Sequence, residues 1–379
     1  MNGKKMRYCI AAAMMLLTVC LMAGCGGSTG TKTKNGDKTL FTYDGKKVSF
    51  KEYWVYAKIQ ATETEAIYSQ YFGENFWDMS IDGTKTMEDS VKESTVNQIK
   101  RIIVLNNRAS EYKCSLSDED KKNCEKYAKA FAEDQTGKTI LEECGATEED
   151  MKKIYEENTL AHKVSEQMTK DVNRKVSDDE ARVTKVNRVS FDITKTDEKT
   201  GETKKLGKKK VEEQKKKAEK ALKDLKSGKK TIQKIAEENE YTDSMEESYS
   251  AGESEEGKAF EKAIKGLKDG DILDQVIETD DAYVIAQLVA YTDKDGTKEK
   301  KESIISEREQ EAFNKKYDEW TKKLEKSWNY EKDVDQELLK ELRLGKGAEE
   351  ATTAAAQPVT QPAEAQTEAP AEETTTEKK

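Results

Sequence analysis

The stretch DDAYVIAQLVAY, residues 280–291, packs two valines, an isoleucine and two tyrosines into one short apolar run. The segments around it are long, charged and helical in spacing. β-Branched and aromatic side chains suit a pleated, half-buried surface, so the run reads as a β-strand. A strand needs partners, and working back along the chain supplies them. In VSDDEARVTKVNRVSFDITKT, residues 176–196, Ser177 and Glu180 form a capping signal. Val189, Phe191 and Ile193 then alternate as a second strand. A Lys-, Thr- and Gly-rich turn follows, then a helix marked by Val211, Ala218, Ala221, Leu222 and Leu225. Gly228 ends that helix, and Ile232, Ile235 and Ala236 mark a shorter one. The loop YSAGESEEG, residues 249–257, leads to a short helix, a turn, a strand, a tight turn and the opening strand. The predicted order is strand, helices, strand, strand, which is an α+β arrangement with a small antiparallel sheet flanked by helices.

The two ends are of another kind. Residues 1–24 carry Lys4, Lys5 and Arg7 ahead of an apolar run from Cys9 to Ala23. That run is too short to span a bilayer and has the layout of an export signal. It closes in LMAGC, residues 21–25, which resembles the bacterial lipobox, with Met22 where Leu is usual. The resemblance implies that the Cys25 thiol is acylated and becomes the first residue of the mature chain. Two acyl chains anchor durably where one would be marginal. Removing residues 1–24 takes away three positive charges, so the net charge moves from −10 to −13. Residues 25–38 then read as a flexible linker. Residues 345–379 are rich in Ala, Thr, Glu and Gln, and hold all three prolines, Pro358, Pro362 and Pro370. Such a composition cannot bury enough apolar surface to offset ordering entropy, so a disordered tail is expected.

Between the ends, residues 39–176 read as a mostly helical domain. FTYDGKKVSF is a hairpin with Asp44-Gly45 at its turn. Ser49 with Glu52 opens the first long helix, whose apolar side holds Tyr53, Trp54, Tyr56, Ala57 and Ile67. Further helices follow Thr86, SDED at 117–120 and TEED at 147–150, with Gly145 ending the one before the last. After Tyr291, residues 293–344 turn helical again, with Ile304, Ile305, Phe313, Tyr317, Trp320, Leu324 and Trp328 at mixed three- and four-residue steps. This series is expected to pack on the helices of residues 50–112, the alternative being an amphipathic helix that makes a dimer. Once Cys25 is acylated, Cys114, Cys124 and Cys144 remain, an odd number that suggests no disulfide framework. His162 is the one histidine, with no nucleophile or ligand near it in sequence. No metal site and no cofactor are expected.

The order of elements, with LKSGKKTIQKIAEENE, AFEKAIKGLKDGDILDQVIETDDAYVI and GATEEDMKKIYEENTLAHKVSEQM followed by VSDDEA, resembles the PrsA/SurA-type extracytoplasmic foldases. That resemblance implies a helical, SurA N-terminal-like chaperone body interrupted by a parvulin-like peptidyl-prolyl isomerase domain, here residues 177–292. It also implies where chemistry should sit. Active parvulins carry one His on the first strand and one on the last, and those positions fall on Arg188 and Val284. The apolar cup for the substrate proline maps to Phe260, with Glu256 where Met is common and Ala251 where Leu is common. Tyr283 falls at the aromatic position beside the second His. Prolyl isomerisation crosses a barrier of roughly 18–20 kcal/mol without covalent change, so a catalyst must favour the twisted amide through a cup and placed polar groups. Two lost histidines and two altered cup residues imply weak or absent activity.

Three readings stay open. The first is a lipid-anchored foldase or holdase for unfolded, newly exported proteins on the extracytoplasmic face of the membrane. The second is a working isomerase that tolerates the substitutions, and the third is an adaptor lipoprotein with one folded partner. The Lys-rich run 204–230 has interleaved Glu213, Glu219 and Asp224, as a solvated helix face does. Nucleic-acid binding is not expected of an exported acidic chain, and contact with anionic wall polymers rests on charge alone. Replacing Cys25 with Ser should release or misprocess the protein, and an unmodified Cys25 thiol in membrane fractions, seen by mass spectrometry, would contradict the lipobox.

Overall fold

The computed structural model describes residues 32–345 apart from residue 82, residues 198–199 and residues 242–244. The export signal, residues 25–31 with Cys25, and the tail beyond residue 345 lie outside the described residues. Residues 32–38, read as linker, are held by hydrogen bonds such as Thr33 N–H to Glu143 O at 2.9 Å and Lys51 N–H to Gly36 O at 2.8 Å. The fold is α+β, with two compact units. Among the described residues no helix is long and apolar enough to cross a membrane.

One unit holds residues 32–101, Lys122–Ile154 and residues 328–345. It opens with strands β1 (Thr39–Tyr43) and β2 (Lys46–Ser49), paired antiparallel. Their turn places Asp44 at φ 45° and Gly45 at φ 81°, the left-handed pair that a two-residue hairpin needs. The Ser49 hydroxyl accepts from the Glu52 N–H at 3.2 Å and starts α1 (Phe50–Phe72). Phe50, Tyr53, Trp54, Val55 and Ala57 of α1 are fully buried. The first part of α2 (Met87–Asn107), most of α3 (Asp118–Glu133), α4 (Gln135–Cys144) and the start of α5 (Glu148–Thr169) complete the body of this unit. Thr147 and Asp150 cap α5 reciprocally, Thr147 Oγ1 accepting from the Asp150 N–H at 3.2 Å and Asp150 Oδ2 from the Thr147 N–H at 2.9 Å.

The end of the described chain closes the same unit. Trp328 meets Tyr43 edge to face at 5.7 Å, and Lys100 Nζ lies 3.8 Å from the Trp328 ring. Val334, Leu338, Leu339, Leu342 and Leu344 are buried, and Asp335 N–H donates to Leu40 O at 2.9 Å.

The other unit holds Ile102–Lys121 and Tyr155–Ser327. Its four-stranded sheet has β3 (Val183–Asp192) and β8 (Ala282–Ala290) at the centre. β6 (Glu246–Ser250) lies beside β3, and β7 (Ile277–Glu278) beside β8. All the pairings are antiparallel. Because β3 and β8 are neighbours, the chain arrives at and leaves the sheet side by side. Val183 N–H donates to Thr297 Oγ1 at 3.2 Å, Asp293 N–H to Val183 O at 2.8 Å, and Thr184 Oγ1 to Tyr291 O at 3.0 Å.

On one face Val189, Phe191, Ile193, Tyr283 and Ile285 pack under α6 (Lys208–Lys226) and α7 (Ile232–Glu238). On the other, Val186, Val284, Ala286 and Leu288 pack with Phe260 and Ile264 of α8 (Gly257–Ile264). From the sheet the chain enters α9 (Lys294–Thr321), where Trp320 packs edge to face on Tyr112 at 5.9 Å.

Three local readings are corrected. The segment read as a plain loop contains β6, whose buried positions are Glu247 and Tyr249, so the apolar alternation that marks a strand was missing. The Lys- and Thr-rich turn is a second hairpin, β4 (Thr194–Thr196) with β5 (Thr203–Lys205), exposed along most of its length. The Ser177–Glu180 signal makes only a turn, Ser177 Oγ accepting from the Glu180 N–H at 3.2 Å, because β3 begins at Val183.

Ending the chain at Ser327 should unfold the first unit. Burial of each large apolar side chain is worth about 1.5–3 kcal/mol, so losing the five buried beyond Ser327 is comparable to a net stability of about 5–15 kcal/mol. Amide hydrogen exchange is expected to collapse across residues 39–101 while β3 and β8 stay protected. Unchanged protection at residues 39–101 would contradict this packing.

Candidate functional site

The residues singled out by sequence divide between the two faces of the sheet. Directly paired residues of an antiparallel ladder share a face, and adjacent residues do not. Ser190 pairs with Val284 and Arg188 with Ala286, so Arg188, Ser190 and Val284 face α8. Phe260 and Glu256 lie on this side too. Tyr283 pairs with Phe191 on the opposite face, against α6 and α7. It is therefore removed from the candidate site, since it cannot share a face with Val284. Ala251 is exposed in the turn after β6 and does not join the apolar cluster around Phe260.

What fills the site is an ion cluster. Arg188, with a side chain only 9% exposed, stands 2.7 Å from Glu247 through Nε, 2.6 Å from Glu256 through Nη1 and 2.9 Å from Glu255 through Nη2. Nη1 also donates to Ser190 Oγ at 3.2 Å and to Tyr241 OH at 3.0 Å. Ser190 Oγ donates to Glu256 Oε1 at 2.9 Å. Glu247 accepts at Oε1 from Ser254 Oγ at 2.9 Å and from the Glu255 N–H at 3.1 Å. Glu247 and Glu256 are as buried as Arg188, while Glu255 is exposed. Burial pushes the Glu256 carboxyl above its usual range, against the pull of Arg188 and the Ser190 hydroxyl. Burial alone would lower the Arg188 pKa, but Glu256, Tyr241 and Glu247 raise it above the usual guanidinium value.

Phe260 is fully buried, with its ring 6.3 Å from that of Tyr249. It has no surface with which to meet a proline ring. Sequence reasoning missed Glu247, Ser190, Tyr241 and Glu255. A signal existed for two of them: Ser190 lies two residues from Arg188 on one strand face, and a buried arginine requires carboxylates nearby.

Two open clefts of about 730 Å³ lie elsewhere in this unit. One is lined by the β4–β5 hairpin and the start of α6, the other by Leu222, Lys226, Val276 and Tyr283. His162 is half exposed, its Nδ1 3.6 Å from Glu166 Oε2. Cys114, Cys124 and Cys144 are free thiols. Among the described residues no cluster of His, Cys, Asp and Glu is arranged to hold a metal.

Residues 198–290 match the family model for the rotamase group, described as the PPIC-type PPIASE domain. The chain carries a PPIC-type domain. The matched segment includes β6, α8 and β8, and β3 with Arg188 precedes it and completes the sheet. Among solved structures the chain is similar to the foldase protein PrsA of Lactococcus lactis, at 15% identity over 76% of this chain and 93% of that one, with a TM-score of 0.32. It is also similar to the peptidylprolyl isomerase PrsA of Bacillus anthracis, at 18% identity over 59% and 97%, TM-score 0.27. For PrsA of Bacillus subtilis the values are 18% identity over 79% and 96%, TM-score 0.21. No curated protein matches the chain.

Removing one partner of a buried ion pair leaves the others uncompensated, at a cost of about 3–5 kcal/mol. Arg188→Met should therefore destabilise the PPIC-type domain by that amount at pH 7. Without the cation, burial holds the Glu256 carboxyl still further above its usual range. The folded state then binds protons more readily than the unfolded one, and the loss shrinks as pH falls from 7 toward 5. Adding Glu247→Gln and Glu256→Gln to Arg188→Met should recover most of the stability. Denaturant unfolding checks this, and an Arg188→Met single variant as stable as the parent at pH 7 would contradict it.

Proposed function

We propose that the chain is a lipid-anchored foldase of the extracytoplasmic face of the membrane, in which the PPIC-type domain has weak or absent prolyl isomerase activity. The observation that carries the reading is the Arg188 cluster. A catalyst for prolyl isomerisation needs an open apolar cup and polar groups free to meet the twisted amide. In this domain a guanidinium and two buried carboxylates take the face of the sheet on which a parvulin would carry its histidines, and Phe260 on the same side is fully buried. Arg188 donates to Ser190, Tyr241 and Glu255 and stands within ion-pair distance of Glu247 and Glu256, and so is committed to the protein rather than to a substrate.

Client binding would fall to the unit that begins with β1. At the end of α1, Ile67, Tyr71 and Phe72 are more than half exposed, and Tyr68 stacks between Phe72 and Phe76 at 6.2 Å from each. Met79 and Ile81 follow on the same segment and are also exposed. An exposed apolar surface of this kind suits unfolded segments of newly exported proteins. Anchoring through Cys25 is supported by the lipobox-like LMAGC at 21–25.

A working isomerase is the second reading, and the match of residues 198–290 to the PPIC-type family favours it. The two separate in one pair of assays on the full chain. Uncatalysed cis/trans exchange of a short Xaa-Pro peptide takes tens of seconds, and the foldase reading expects less than a twofold acceleration. Aggregation of an unfolded client should be suppressed, and Tyr71→Ser with Phe72→Ser and Ile81→Ser should weaken that suppression several-fold without loss of folding. Phe260→Ala is unsuitable as the enzyme control, because emptying so buried a site costs about 3–5 kcal/mol. A robust acceleration, or suppression untouched by the triple variant, would overturn the proposal.

A further inference from the structure

Residues 203–230 carry thirteen lysines against four carboxylates, a net charge of +9 within a chain whose net charge is −10. The structure gathers most of these lysines on α6. Ala218, Ala221, Leu222 and Leu225 bury one side of that helix, and its exposed positions hold nine lysines against Glu212, Glu213 and Glu219. Lys209, Lys216, Lys220 and Lys223 follow one another along the middle of this side. At 1.5 Å rise per residue the stripe is about 21 Å long. Lys208, Lys209, Lys210 and Lys223 form no ion pair with any described residue, and Lys216 meets only Glu212, at 3.7 Å between exposed side chains.

At the start of the helix this distribution works against stability, while Lys223 and Lys226 in the last turn suit the dipole. Like charges on neighbouring turns repel, and cations in a first turn oppose the helix dipole. Lys208, Lys209 and Lys210 occupy that turn, which holds no acidic residue. Three exposed glutamates offset only a third of the nine lysines, which leaves the face strongly cationic within an acidic chain. The stripe continues into the open cleft between α6 and the β4–β5 hairpin, where Lys195, Lys204 and Lys205 outnumber Asp197 and Glu202, the latter 2.8 Å from Lys204 Nζ.

We propose that the lysine face of α6 and this cleft bind a linear, flexible polyanion with closely spaced phosphate groups. The partner is a soluble polymer rather than a bilayer. Membrane-surface helices pair a basic face with exposed Trp, Phe or Leu that enter the lipid. The exposed large apolar side chains of the described residues, Ile67 to Ile81, Tyr127 and Val289, all lie outside residues 195–230. A small anion would need one converging pocket, whereas these charges are strung along a line.

The test measures binding of long-chain inorganic polyphosphate to the full chain at several salt concentrations. Arms at equal phosphorus use inorganic phosphate and vesicles containing phosphatidylglycerol. The variant Lys209→Gln, Lys216→Gln, Lys220→Gln, Lys223→Gln should bind polyphosphate at least tenfold more weakly. The slope of log affinity against log salt should fall by about 3, four contacts at about 0.7 each for a single-stranded polyanion. The control Lys121→Gln, Lys122→Gln, Lys126→Gln, Lys129→Gln, on exposed positions of α3, removes the same charge and should change affinity less than twofold. Thermal unfolding of both variants verifies folding, since glutamine keeps helix propensity close to that of lysine. Equal losses in the two variants, equal affinity for free phosphate, stronger binding to vesicles, or no binding to polyphosphate would each overturn the proposal.

Discussion

The antiparallel pairing of β3 with β8 is the constraint on which the PPIC-type unit rests. It joins Lys185 to Ala290 and Asp192 to Ala282, so everything between is a closed excursion that begins and ends at one place. The Val183, Asp293 and Thr297 hydrogen bonds fasten that place. The same pairing fixes the two faces of the sheet. One becomes an ordinary apolar interface with α6 and α7, and the other holds the candidate site. A one-residue slip in this ladder would exchange the faces, send Arg188 into the α6 interface and bring Phe191 out under α8.

That register also explains how much of the molecule could be read from residue types. Strands β3 and β8 were legible because Val189, Phe191 and Ile193, and the run from Tyr283 to Val289, carry β-branched and aromatic residues. The helix starts at Ser49, Thr86 and Thr147 were legible because their capping contacts are local. β6 was not, since one of its two buried side chains is Glu247, and a buried carboxylate becomes intelligible only once Arg188 is placed beside it. In the site, Arg188, Val284, Phe260 and Glu256 come to one face of the sheet. Tyr283 belongs to the other face by strand alternation alone, a rule available from sequence. Ala251 depended on loop geometry between β6 and α8, which no local pattern encodes.

The two units divide the chemistry of the chain. The PPIC-type unit spends a buried charge cluster where a prolyl isomerase needs an open apolar cup, and it keeps a scaffold with well-packed faces. The unit that begins with β1 carries the exposed aromatic end of α1. Such a division fits a foldase that holds apolar segments with one unit and retains the other as a scaffold. It also places the burden of the account on a single question, whether the Arg188 face of the sheet is open to proline.

The most direct measurement is an NMR titration of the isotopically labelled full chain with an Xaa-Pro peptide, following the backbone amides of Ser190, Glu256, Phe260 and Val284. With the Arg188 cluster in place these amides are expected to stay unshifted up to millimolar peptide. Saturable shifts at these positions would show that the site opens to proline and would contradict the account.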